Sequence, residues 1–153
     1  MSGAGAPKLA VDASGLAITV IVTSWHTEIT DGLLAGAERA LKAAGNDVYS
    51  VVRVPGAFEL PLAAQYAIED GAEVVIALGV VIRGGTPHFE YVCQAVTEGL
   101  TRVQLDYGVP IGFGVLTVDD EQQALDRAGL TSSKEDKGAE AVEAAVVMAR
   151  LKP

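Results

Sequence analysis

Apolar and polar positions follow one another along this chain in two alternating rhythms. Four runs carry a β-rich pattern, at residues 16–22, 48–54, 74–82 and 109–118. Two of them are almost entirely apolar, as expected of strands buried on both faces of a parallel sheet. The other rhythm is helical, over residues 28–44, 57–70, 87–107, 121–128 and 136–151. Turn signals punctuate it: Gly45-Asn46, Gly71, Gly108 and Gly129 each stand at or near the position just past a helix. Strand–helix alternation of this kind implies right-handed crossovers, and so a three-layer α/β/α sandwich around a central four-stranded parallel sheet. Residues 1–13 read as a flexible arm and residues 14–153 as one domain, with a polar loop at Thr131-Ser132-Ser133-Lys134-Glu135 before the last helix. In such folds ligands sit beyond the carboxyl ends of the strands.

Composition narrows the field. A chain of 153 residues is one domain on length, and a domain of that size buries about 68–70% of its unfolded surface. The formal charge of −9 and the lack of any basic run argue against a nucleic-acid partner. The apolar stretch from Val74 to Ile82 is too short to span a bilayer, so no membrane is expected. Met1-Ser2-Gly3-Ala4-Gly5-Ala6-Pro7 lacks the basic and apolar regions of a signal peptide. Cys93 is the only cysteine, which excludes an intrachain disulfide and disfavours a cysteine-based metal site. A cytoplasmic location follows most simply. Half of the residues are hydrophobic, mostly Ala and Val, which points to apolar surface buried between subunits.

Candidate chemistry collects where the strands end. Thr23-Ser24-Trp25-His26 follows the first strand, and Trp25 offers a planar face that can stack on a heteroaromatic ring or cover the core. After the second strand, Pro55-Gly56 forces a turn into a helix start. There the amides of Ala57 and Phe58 face the edge, Phe58 adds a stacking surface, and Glu59 can accept hydrogen bonds or favour the helix dipole. The third strand runs into Gly79-Val80-Val81-Ile82-Arg83-Gly84-Gly85-Thr86-Pro87-His88-Phe89-Glu90-Tyr91. Arg83 supplies a fixed charge, Gly84 and Gly85 let backbone approach a ligand, Thr86 is placed to cap a helix, and Pro87 suits its first position. His88 then lies in the first turn as a general acid–base. Such a point suits a small phosphorylated substrate. The fourth strand and its helices bring Phe113, Arg127 in a last helical turn, and Lys137 near a helix start, where it is solvated or meets an anion.

No nucleotide-triphosphate loop, dinucleotide fingerprint or nucleophile elbow occurs. His26, His88 and one Cys do not make a zinc site. Aromatic faces, a phosphate cradle and one His remain, a chemistry that needs no metal and no redox cofactor.

The chain resembles the lumazine synthase family of riboflavin biosynthesis from about Leu16 to Leu151. The likeness is carried in order by Ser24-Trp25-His26, Val54-Pro55-Gly56-Ala57-Phe58-Glu59-Leu60-Pro61, the stretch from Gly79 through Cys93, Gly114-Val115-Leu116-Thr117, Gln123-Ala124-Leu125-Asp126-Arg127-Ala128-Gly129 and Lys137-Gly138. The resemblance implies a flavodoxin-like fold and condensation of 5-amino-6-(D-ribitylamino)uracil with (3S)-3,4-dihydroxy-2-butanone 4-phosphate. It implies that Trp25, Ala57, Phe58, Glu59, Val80, Val81 and Ile82 hold the pyrimidine and ribityl chain, and that Gly85, Thr86 and Arg127 bind phosphate. His88 would move protons, while Phe113, Arg127 and Lys137 would enter from a neighbouring subunit of a homopentamer. The N-terminal arm would add to a neighbour's sheet. Shell-forming members have a tight turn before the final helix; the longer polar segment from Gly129 to Gly138 points here to an isolated pentamer. The same residues would also serve a flavin- or lumazine-binding module without turnover, and the same fold a riboflavin synthase.

Overall fold

The computed structural model describes residues 4–153. Met1, Ser2 and Gly3, the start of the expected arm, lie outside the described residues. The chain runs β1 (Ile18–Thr23), α1 (Thr27–Ala43), β2 (Ser50–Val54), α2 (Leu60–Glu69), β3 (Val74–Ile82), α3 (His88–Tyr107), β4 (Ile111–Val118), α4 (Glu121–Leu125) and α5 (Lys137–Leu151). The four strands pair in the order β2-β1-β3-β4, all parallel, giving the expected flavodoxin-like α/β/α sandwich.

Period-two alternation divides the core between the two faces of the sheet. Val74, Ile76, Leu78 and Val80 of β3 point to one face and join Ile29, Leu33, Ala37 and Leu41 of α1 and Val142 and Val146 of α5. Val75 and Ala77 point to the other and join Leu60 and Ala64 of α2 and Val96 and Leu100 of α3. α1 and α5 lie so close that a Cβ on Gly138 would stand 2.1 Å from the Leu33 carbonyl oxygen, so only glycine fits there. Among the described residues both outer strands keep a free edge, and β2 is exposed almost throughout. Ala4 to Ala10 are exposed, whereas Ala13 is buried, its N–H bonded to the Ala44 carbonyl at 2.8 Å. No helix among the described residues is long and apolar enough to cross a membrane.

Three local expectations shift. The helix expected over residues 57–70 is a 3-10 turn, Ala57–Glu59, followed by α2, because Pro61 in the first turn has no N–H to continue one ladder. Pro87, with φ −65° and ψ −1°, precedes α3 where Thr86 was expected to cap it; the Thr86 hydroxyl still accepts the His88 N–H at 3.4 Å. α4 stops at Leu125, three residues short, because the chain beyond pairs elsewhere: the Asp126 carbonyl accepts the Lys134 and Glu135 N–H groups at 2.8 and 2.9 Å. Ala128 and Asp136 then form an antiparallel bridge, so the polar loop is folded back and pinned.

Candidate active site

The structure sorts the candidate residues into two sets. Trp25, Ala57, Phe58, Glu59, Val80, Val81, Ile82, Gly85, Thr86 and His88 follow or end β1, β2 and β3, at the carboxyl edge of the sheet. The Ser24 hydroxyl and N–H bond to the Val54 and Pro55 carbonyls at 2.9 and 3.3 Å, fixing the exit of β1 against that of β2. Trp25 lies over Gly56, where an added Cβ would come within 3.4 Å of its Cδ1 and Nε1. His26 takes the left-handed conformation, φ 54°, that turns the chain into α1. Glu59 accepts the Gly56 N–H at 2.9 Å, so it holds the turn as well as lining the edge. Trp25 and Phe58 are 64% and 67% exposed, two aromatic faces that one chain leaves uncovered.

Gly84 and Gly85 have neither a positive φ nor a neighbour within 4 Å of an added Cβ. Fold geometry therefore does not demand glycine there, and open backbone is left facing the edge. Arg83 departs from its expected role as a charge presented to the ligand. Its Nε donates to Asp119 at 2.9 Å, its Nη1 to Glu90, and its guanidinium lies 4.4 Å from the Phe89 ring centroid. These bonds hold the Glu90 carboxyl below its usual range.

Phe113, Arg127 and Lys137 form the second set. They share a groove of about 520 Å³ along the free edge of β4 and the face of α5, and none of the first set lines it. Phe113 is not at the carboxyl edge as expected: it is opposite Ala77, midway down β3, and 47% exposed. Arg127 lies past the end of α4, not in its last turn, yet its Nη1 still donates to the Gln123 carbonyl at 2.7 Å. The Lys137 side chain is 16% exposed, between Glu135 and Glu140 with nitrogen–oxygen distances of 3.2 Å to each. Burial works against its charge, but the bonds to Glu135 and Glu140 outweigh it and raise the pKa, so Lys137 stays an ammonium. Glu135 also faces Arg127 Nε at 3.5 Å and is 13% exposed. Glu140 was legible as an i+3 partner of Lys137; Glu135 was not, since only the loop's fold-back brings it inward.

One sheet edge thus carries aromatic faces, open backbone and an imidazole, and a separate groove carries two oriented cations. A family model described as 6,7-dimethyl-8-ribityllumazine synthase matches residues 15–153. The chain belongs to the 6,7-dimethyl-8-ribityllumazine synthase family. Its enzymes are transferases, and this chain is one of them. The relative of that name from Clavibacter sepedonicus is 62% identical over 99% of this chain and 96% of its own length. The relative from Kineococcus radiotolerans is 64% identical over 95% and 91%, and that from Streptomyces coelicolor 57% over 97% and 93%. Membership in the lumazine synthase family extends over both sets of residues, the edge and the groove alike.

Proposed function

We propose that the chain condenses 5-amino-6-(D-ribitylamino)uracil with (3S)-3,4-dihydroxy-2-butanone 4-phosphate, at a site shared by neighbouring copies of a homopentamer. The products are 6,7-dimethyl-8-ribityllumazine, phosphate and water. The observation that carries the reading is the separation of the site residues into an edge set and a groove set that one chain does not bring together. Trp25 stacks on the pyrimidine, and Ala57, Phe58 and Glu59 hold its substituents and the ribityl chain. The backbone of Val80, Val81 and Ile82 meets the ring. Gly85 and Thr86 bind the phosphate together with Arg127 of a neighbour, which also supplies Phe113 and Lys137.

The amine attacks the ketone to give an imine, phosphate leaves by elimination, and a second dehydration closes the ring. Each step moves protons, and His88 serves as donor and acceptor in turn. The departing dianion is met by Arg127 and by backbone amides of the open loop. Holding two substrates together supplies much of the acceleration. The exposed arm of one copy adds to the free edge of β2 in the next, and the pinned polar loop favours a single pentamer over a shell. The same reading takes the enzyme to work in the cytoplasm.

The direct test mixes both substrates with the protein and follows lumazine fluorescence and phosphate release against a protein-free control. Acceleration of both signals is expected. Ligand binding without acceleration would move the assignment to a binding module.

A further inference from the structure

Arg83 is the residue whose observed role differs most from its expected one. It sits where β3 ends, and three elements meet on it. Its N–H donates to the Val118 carbonyl at the end of β4, at 2.9 Å, and its Nε to Asp119 just beyond, at 2.9 Å. Its Nη1 reaches Glu90 in the first turn of α3, and its plane covers Phe89. Between these anchors runs the segment from Gly84 to His88, which is exposed. Its hydrogen bonds are local ones, His88 N–H to Thr86 Oγ1 at 3.4 Å and Glu90 N–H to the Pro87 carbonyl at 3.1 Å.

We propose that Arg83 is a positioning residue: its forked guanidinium clamps the start of α3 to the end of β4 and so fixes the Gly85–Thr86 backbone and His88 for the phosphorylated substrate. This rests on the proposed reaction for its kinetic reading. The clamp acts in two ways. A planar fork with donors on two sides fixes direction as well as distance, which a point charge does not. Its single positive charge also offsets part of the negative charge of Glu90 and Asp119, two carboxylates that would otherwise repel an arriving phosphate dianion more strongly. Exposed ion pairs contribute little to global stability, so removing Arg83 leaves the fold intact and exposes the local effect.

The test compares Arg83→Ala and Arg83→Lys with Arg102→Ala, which removes an exposed helical ion pair to Asp106 on the same α3. Amide exchange is read over residues 83–91, alongside the KM of each substrate. Arg83→Ala is expected to speed exchange there and to raise the KM for the phosphorylated ketone on the order of tenfold. The KM for the pyrimidine should stay within about twofold, and Arg102→Ala should move none of these. Arg83→Lys should stay closer to Arg83→Ala than to the unaltered enzyme. Unchanged exchange and KM in Arg83→Ala would overturn the clamp, as would full restoration by Arg83→Lys. Exchange needs no turnover: faster exchange in a protein that makes no lumazine would leave the clamp standing and the proposed reaction refuted.

Discussion

Glu135 shows how single residues prepare this site before any ligand arrives. Its carboxylate faces Arg127 Nε and Lys137 Nζ, at 3.5 and 3.2 Å, and so holds two cations side by side in a half-sheltered groove. In the proposed reaction the phosphate dianion then meets an Arg127 guanidinium already oriented. On this reading Arg127→Ala should raise the KM for the phosphorylated substrate by about 10–150-fold, the equivalent of a charge-assisted hydrogen bond worth about 1.5–3 kcal/mol. Steady-state kinetics with that substrate varied would check it; an unchanged KM would remove Arg127 from the phosphate site. His88→Ala should lower kcat by about a hundredfold or less, because positioning remains when the proton carrier is gone. Turnover equal to that of the unaltered enzyme would contradict the proton-transfer role. Which residues follow β1, β2 and β3 was legible in the sequence, since the loop chemistry marks them, but Phe113 was not, because it lies opposite Ala77 rather than at the end of β4. Partnerships made by tertiary closure were not: Arg83 meets Asp119 only because β3 and β4 pair in register, Ile82 opposite Val118.

At the scale of elements, the strength of a local signal decided how well it could be read. Val74–Ile82 has the predicted bounds because a run of nine apolar, mostly β-branched residues has one buried home between β1 and β4. The end of α4 was misplaced because its helical pattern runs on while the backbone of Asp126 to Ala128 bonds to residues 134–137. Such competition between local and non-local partners leaves no periodic trace. The contact between α1 and α5 yields a stability prediction: Gly138→Ala must push the helices apart, and overpacking of this kind costs about 1–3 kcal/mol. Denaturant unfolding would measure it, and an unchanged midpoint would mean that the helices yield freely. A second contact ties α1 to the approach of β2: the Tyr49 hydroxyl donates to Glu38, and this bond raises the Tyr49 pKa from 10.0 to about 12. Between those values the folded chain keeps a proton that the unfolded chain has lost, so stability is full below pH 10 and falls as pH rises toward 12. Unfolding midpoints across that window should fall less for Tyr49→Phe than for the unaltered protein. Equal slopes would show that the Tyr49 proton is not linked to folding.

The whole molecule leaves apolar surface uncovered in two places: Trp25 and Phe58 at the carboxyl edge of the sheet, Phe113 and Met148 along the β4 groove. A surface of one kind meeting a surface of another is a heterologous contact, and such contacts give rings where the rotation between copies closes and open filaments where it does not. If each site takes His88 from one copy and Arg127 from the next, two damaged enzymes can repair each other. In a ring assembled from equal amounts of His88→Ala and Arg127→Ala chains, a site is intact when the copy giving His88 is the second variant and its neighbour the first. Random assembly makes that so for about one site in four. Co-assembled rings should therefore recover about a quarter of the unaltered specific activity above the parental background. Mixing without subunit exchange should recover none. Activity equal to the average of the two parents after confirmed exchange would place His88 and Arg127 of each site on a single chain, and the shared-site reading would fall.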